Sequence, residues 1–329
     1  MPLLFVEVWP LFIALLMLAA GFVLLIKGAD FLIDGSVAIA KNLGISELLI
    51  GLTIVALGTS APELAVSVQA AVKGSGIALG NVLGSNIANM ALILGVAAFL
   101  TPLGVSKTTM SYEIPFVILI TVASGALILG NGNGLQRSDG IVLTTFFVIF
   151  MMYVFAMAKR DRKISDIVEV EGKRDIELFE KYPVLAWLAT IGGTAGVIIG
   201  GNLVVNGGSS IARVFGVSDM VIGTTIVAFG TSLPELVTTV AAGKKNRSDL
   251  AIGNVVGSNI FNLLLVLGVS ATISPILAHR SLVVEISFAL GLSIVLPLLL
   301  LRTKRLDRPK GVLLMIIYCA FIVSTIISG

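Results

Sequence analysis

Two parts of this chain carry nearly the same polar residues in nearly the same order. GLTIVALGTSAPE at 51–63 and GTTIVAFGTSLPE at 223–235 each end in a glutamate, Glu63 and Glu235. Each is followed by a second block, GNVLGSNIAN at 80–89 and GNVVGSNIFN at 253–262. What repeats is oxygen: two carboxylates, hydroxyls and amides, embedded in apolar sequence. Thr59 and Ser60 stand four and three residues before Glu63, so the three side chains project near one helical face. Thr231, Ser232 and Glu235 repeat the spacing. Ser85 and Asn89 are one turn apart, as are Ser258 and Asn262. An ionised side chain at membrane depth costs upward of ~3 kcal/mol, and neither motif holds a Lys or Arg to offset it. An all-oxygen environment of this kind suits a hard cation such as Ca2+, which takes about 6–8 oxygens. Two glutamates balance one Ca2+, and they can also accept several Na+ in succession, the third leaving the site at about +1 by the same charge count.

The elements that must position these groups are transmembrane helices. Hydrophobic residues make up 57% of the 329 and charged residues 12%, with a mean hydropathy of +1.05. A soluble domain is nearer a quarter charged. Apolar runs near the ~20 residues that cross a hydrocarbon core predict ten spans, at about 9–33, 46–72, 77–101, 111–130, 139–158, 183–209, 219–242, 249–274, 281–301 and 311–328. Pro62 and Pro234 lack an amide hydrogen and predict a break in the helices that carry the glutamates. Such a break must face protein or a water-filled cavity.

The chain divides into a first five-helix half (1–158), a charged cytoplasmic linker (159–182) and a second five-helix half (183–329). The linker holds seven basic and seven acidic residues and suits a solvated tether with a short surface helix. With both termini outside, 18 of the 22 Lys and Arg fall in the cytoplasm, all but Lys73, Arg137, Arg213 and Arg280. That is the skew that insertion favours. The N-terminal apolar run has no basic leader region and reads as the first span.

The halves correspond beyond the motifs. Glu63 and Glu235 are 172 residues apart, Ser85 and Ser258 are 173, and GADFLIDGSVAIAKNLGIS at 28–46 matches GGNLVVNGGSSIARVFGVS at 200–218. An odd number of spans per half turns the second half over, giving an all-α membrane fold of two inverted repeats whose broken helices carry the ion site. Asn81, Asn86, Asn254 and Asn259 are expected to bond between helices, and Gly80, Gly84, Gly253 and Gly257 to allow close helix packing. Asp30 and Asp34 become Asn202 and Asn206 in the second half, which argues against a place in the central site; Asp30 reads as a solvated acid at a helix end. The lone cysteine, Cys319, is expected to be a buried small apolar residue, and the lone histidine, His279, a solvated loop residue. No HExxH and no GxxxxGK occurs, so a zinc protease or a nucleotide-driven pump has no machinery here. The basic balance reads as topology rather than as a nucleic-acid surface.

The GTSxPE and GNxxGSNxxN blocks resemble the two alpha repeats of sodium/calcium exchangers, within the cation/calcium antiporter superfamily, over nearly the whole chain. The resemblance implies a prokaryotic-type antiporter without a large regulatory loop, exchanging three Na+ for one Ca2+ by alternating access. By carry-over, Glu63 and Glu235 are the central Ca2+ ligands, joined by backbone oxygens near Thr59 and Thr231. Sodium ligation falls to Ser60, Ser85, Ser232, Ser258, the two threonines and the carbonyls of Ala56 and Ala228, with Asn89 and Asn262 lining the middle site. Some relatives place Asp at one of these two Asn positions, whereas both are Asn here. The resemblance also implies that the first and sixth helices slide across the core. No cofactor, no enzymatic activity and no nucleic-acid partner is expected; the lipid bilayer and the two ions are the partners, and the unit is a monomer in the plasma membrane. A Ca2+/H+ antiporter on the same architecture is the nearest rival, and a cation channel a more distant one.

Overall fold

The computed structural model describes residues 2–161, 174–217, 228–278 and 281–328. His279, Arg280, residues 162–173 of the linker and the first five residues of the 223–235 block lie outside the described residues. We number the main helices α1 (Pro2–Leu43), α2 (Glu47–Thr59), α3 (Ala61–Val72), α4 (Ile77–Leu100), α5 (Thr109–Gly130), α6 (Arg137–Asp161), α7 (Arg174–Lys181), α8 (Pro183–Val214), α9 (Leu233–Lys244), α10 (Ser248–Ile273), α11 (Val283–Leu300) and α12 (Arg308–Ser328). A helical turn, Ala228–Gly230, precedes α9. Among the described residues, eight helices are long and apolar enough to cross a membrane. The bent pair α2–α3, at 49°, makes nine. The expected seventh span, 219–242, begins in undescribed residues; its latter part is α9.

Burial separates a centre from a periphery. In their most apolar stretches α10 is 94% buried and α4 78%, whereas α1 is 22%, α6 17% and α12 17%. The GNxxGSNxxN blocks therefore lie on the most completely buried of these spans. Near its middle each central helix widens into a π-helical turn, Ala88–Ile93 in α4 and Phe261–Val266 in α10. Such turns recur at functional sites.

Each half ends by gripping the other. A Cβ at Gly140 of α6 would stand 2.7 Å from the Gly268 carbonyl of α10, and one at Gly311 of α12 would stand 2.6 Å from the Gly95 carbonyl of α4. Arg308 donates to the Phe99 carbonyl at 3.1 Å, and Arg137 to the Ile273 carbonyl at 3.4 Å. Each guanidinium thus covers the carboxyl end of a helix from the opposite half, where the helix dipole favours positive charge. Two short antiparallel ribbons complete the interlock: β1 (Leu103–Gly104) pairs with β4 (Arg305–Leu306), and β2 (Gly134–Leu135) pairs with β3 (Ile276–Leu277).

The longest pairing is α1 against α8. Ala14, Gly21, Gly28 and Gly35 recur every seven residues on α1, and Ala186, Gly193, Gly200 and Gly207 do so on α8. They meet in antiparallel order: Gly207 faces Ala14, Gly200 faces Gly21, Gly193 faces Gly28, and Ala186 faces Gly35. A Cβ at Gly21 would stand 2.8 Å from the Gly200 carbonyl, and one at Gly28 would stand 2.7 Å from the Val197 amide. Only glycine allows backbones this close, and a strict seven-residue period keeps the seam facing its partner along the whole pair.

Several expectations are corrected. The first helix does not end near residue 33 but runs to Leu43, and the sixth expected span runs to Val214 rather than 209. The charges read as a helix end are met by another helix instead: Lys245, just beyond α9, lies 3.0 Å from Asp30 Oδ1 and 2.9 Å from Asp34 Oδ1. Asp30 is therefore an ion-paired residue within a helix. Cys319 is exposed on α12 rather than buried. The break before Glu63 comes at Ser60, two residues ahead of Pro62, because proline starts a helix comfortably and stops the one before it. The linker does contain a short helix, α7, joined to α1 by Lys41 and Glu180 at 2.6 Å.

Candidate functional site

Both glutamates sit in the first turn of a helix that follows a broken one. Ser60 (φ −84°, ψ 5°) ends α2 before α3, and Ser232 (φ −89°, ψ 2°) precedes α9 with almost the same backbone. Pro62 and Pro234 stand in the new first turns. The first break turns its hydroxyl-bearing pair, Thr59–Ser60, toward Asn254 and Glu235 of the other half.

The groups that result are buried. Glu63 and Glu235 are each 1% exposed, and Thr59, Ser60, Ser232, Ser85, Ser258, Asn89 and Asn262 are all buried. Ser60 donates to Glu235 Oε1 at 3.2 Å, so a hydroxyl from one half meets the carboxylate of the other. Glu63 and Glu235 lie close enough to act on one another electrostatically, and Thr231 acts on Glu63. Both oxygens of Glu63 and Oε2 of Glu235 lack a hydrogen-bond partner among the described residues. A carboxylate cut off from water must find a counter-charge or a proton.

Around the carboxylates the neutral donors form two chains. Thr239 accepts from Asn254 Nδ2 at 3.0 Å, and Asn254 Oδ1 accepts from the Thr59 hydroxyl at 3.1 Å. Ser258 lies 3.4 Å from the same hydroxyl, and the Ala56 carbonyl accepts from it at 3.4 Å. The second chain joins α4 and α10 through Asn86, Asn89, Asn259 and Asn262 at 3.1–3.2 Å. Asn81, by contrast, donates to Ser67 on α3 at 3.1 Å. Of the twelve residues expected to hold ions, Thr59, Ser60, Glu235, Ser258 and the Ala56 carbonyl are brought into direct contact. Glu63 and Thr231 act on this group, Asn89 and Asn262 belong to the amide chain, and Ser85 on α4 and Ser232 just before α9 are buried. Ala228 opens the turn before the break, and its side chain is not described. The packing expected of the glycines is seen at Gly253, where a Cβ would meet the Leu48 carbonyl at 2.7 Å, and at Gly257, where it would meet Ala56 at 2.7 Å, but not at Gly80 or Gly84, where a Cβ would meet nothing within 4 Å.

The pattern recorded for the family described as "Sodium/calcium exchanger protein" matches residues 13–156 and 185–327, one segment in each half. The chain belongs to the sodium/calcium exchanger family. It is a multi-pass membrane transporter of that family and not an enzyme. The putative antiporter CaxA of Alkalimonas amylolytica is 38% identical to this exchanger-family chain over 318 residues, covering 94% of it and 97% of CaxA. The sodium/calcium exchanger MaX1 of Methanosarcina acetivorans is 34% identical over 340 residues, 94% and 97% of the two chains. The fold is similar to that of the sodium-calcium exchanger NCX_Mj soaked with zero Na+ and Ca2+. The TM-score is 0.81 at 31% identity, covering 96% of this chain and 99% of the other.

Sequence reasoning missed two features of this exchanger's interior. The π-helical turns that begin one residue before Asn89 and Asn262 have no composition signal. Two further buried carboxylates, Glu113 and Glu285, are 1% and 2% exposed, and Tyr153 donates to Glu113 at 3.0 Å. They are again 172 apart, in YEIPF and VEISF, so the repeat that revealed Glu63 and Glu235 could have revealed them.

Proposed function

We propose that this chain exchanges Na+ for Ca2+ across the plasma membrane by alternating access, with three Na+ carried per Ca2+. The observation that carries the reading is the pair Glu63 and Glu235: two carboxylates from opposite halves, in one buried cluster of oxygens, with three of their four oxygens unpartnered among the described residues. Two negative charges bind one Ca2+ neutrally and leave three Na+ with one charge in excess. Each cycle then moves one charge, so the membrane potential contributes ~2.3 kcal/mol per 100 mV in addition to the sodium gradient.

In this reading Glu63 and Glu235 ligate Ca2+, with main-chain oxygens beside Thr59 and Thr231. Ser60, Ser85, Ser232, Ser258, Thr59, Thr231 and the carbonyls of Ala56 and Ala228 take Na+, and Asn89 and Asn262 line the middle position. Na+ and Ca2+ compete for the same carboxylates, which is why one ion is carried only in exchange for the other. The full architecture is ten helices in two inverted five-helix repeats with both termini outside, working as a monomer. The matched cross-half grips of Gly140 and Gly311 support the inversion. The close α1–α8 seam makes the two helices one unit, which supports a pair that slides across the motif helices to expose the site to either side.

The test is Na+-gradient-driven Ca2+ flux in proteoliposomes of purified protein. Glu63→Gln or Glu235→Gln is expected to abolish it, and normal flux in either variant would overturn the site assignment. A pH gradient imposed on the same vesicles without Na+ should drive no Ca2+ movement.

A further inference from the structure

The cluster holds two side chains of the middle position, Asn89 and Asn262, whose amides could point either way. A primary amide turned by 180° presents an NH2 group in place of an oxygen, and an NH2 group repels a cation. Something must hold both amides the right way round, and the cross-half contacts identify it.

Asn89 Nδ2 donates to Asn259 Oδ1 at 3.1 Å, and Asn262 Nδ2 donates to Asn86 Oδ1 at 3.1 Å. These bonds are mirror counterparts, since Asn86 and Asn259 are 173 residues apart, as are Asn89 and Asn262. Asn86 is itself oriented: its Nδ2 donates to the Asn259 main-chain carbonyl at 3.2 Å, which leaves its Oδ1 facing Asn262. All four residues are at most 2% exposed, so water does not compete for these bonds. With both NH2 groups engaged, Oδ1 of Asn89 and Oδ1 of Asn262 are buried with no hydrogen-bond partner among the described residues. Two unpartnered carbonyl oxygens in a dry interior are costly unless a ligand uses them.

We propose that Asn86 and Asn259 are positioning residues that lock the amides of Asn262 and Asn89 with their oxygens turned toward the ion, and that at position 262, where Asn86 is itself held, this lock selects Asn over Asp. The inference rests on the exchanger reading of the site and extends it to residues outside the expected ligand set. An aspartate at 262 would set a carboxylate oxygen about 3.1 Å from Asn86 Oδ1, acceptor against acceptor, with no proton between them. Asn86 cannot turn over to help without giving up its bond to the Asn259 carbonyl. The lock therefore keeps the site at two carboxylates, the count on which the exchange ratio depends.

The test uses purified full-length protein in proteoliposomes, with Ca2+ flux measured against Ca2+ concentration under a fixed Na+ gradient. Asn86→Ser removes the acceptor and is expected to raise half-saturating Ca2+ about five- to tenfold, the effect of one buried hydrogen bond, with the maximal rate within about twofold. Asn262→Asp alone is expected to lose most of its flux. Asn86→Ser with Asn262→Asp should recover at least about tenfold over Asn262→Asp, because a serine hydroxyl can donate to the new carboxylate. Additive effects, or unchanged half-saturation in Asn86→Ser, would overturn the lock. If thermal unfolding of the purified variants shows damage, Asn86→Thr, whose hydroxyl can donate in the same way, combined with Asn262→Asp decides by the same criterion. Glu63→Gln in the same vesicles separates the two levels. If it keeps normal flux the site reading fails; if it is silent while the asparagine pairs are additive, only the lock fails.

Discussion

The motif helices and the long α1–α8 pair are held together in opposite ways. Between the motif helices the contacts are directional. Thr59 to Asn254, Ser60 to Glu235 and the four-asparagine chain each need one geometry to within a few tenths of an ångström. Between α1 and α8 the contact is backbone against backbone, along glycines and alanines seven residues apart. Directional buried bonds specify positions. A seam of small residues fixes a short distance between two backbones and joins them as one unit. The molecule therefore has a part held by directional bonds and, beside it, a closely joined helix pair, and the difference can be probed from both sides.

The largest effect belongs to the holding part. Glu63→Gln or Glu235→Gln removes one of two charges from a dry site and should lower Na+-driven Ca2+ flux at least about a hundredfold. If either variant keeps its flux, the cluster is structural. Next is the seam: Gly28→Leu should slow transport at least about tenfold, since its side chain meets the Val197 amide and the Gly193 carbonyl. Equilibrium Ca2+ binding, measured in detergent, should stay within about threefold, because no site residue moves. Parallel loss of binding would show that seam and site are one unit. Smaller again is Asn254→Ala, which frees Thr59 and Thr239. It is expected to raise half-saturating Ca2+ about fivefold, the cost of a buried hydrogen bond.

The smallest effect concerns a difference between the halves. Lys245 is gripped by Asp30 and Asp34 of α1, which ties the α1–α8 pair to the end of α9. The residues 172 away are Lys73, Asn202 and Asn206, and Lys73 is exposed, with no ion pair among the described residues. The pair should therefore be held more firmly at one end. Lys245→Gln should change the rate about two- to threefold, and raised ionic strength should reproduce part of the change in the parent but not in the variant. A Lys73→Gln variant with the same salt response would erase the contrast.

Much of the site was legible in the sequence because it is written twice. A glutamate after Thr-Ser-x-Pro in an apolar run has few explanations, and a second copy at the same spacing removes most of them. The helix break was legible from proline, although its position, at Ser60, depends on proline's tolerance of a first turn. The length of α1 was not legible. Asp30 and Asp34 read as the end of a span when their counter-charge, Lys245, lies more than 200 residues away in sequence. The seam escaped notice for a related reason: a glycine every seventh residue gains meaning only beside a partner with the same period. Cys319 was misread because a small apolar residue suits a lipid-facing surface as well as a packed core.

The central claim is that two carboxylates and neutral oxygens carry either one Ca2+ or several Na+, never both. Simultaneous measurement of Na+, Ca2+ and charge movement in proteoliposomes tests it most directly. The account predicts three Na+ and one net positive charge moving opposite to each Ca2+, with no flux under a pH gradient alone. Electroneutral exchange, or Ca2+ movement driven by protons in the absence of Na+, would contradict it.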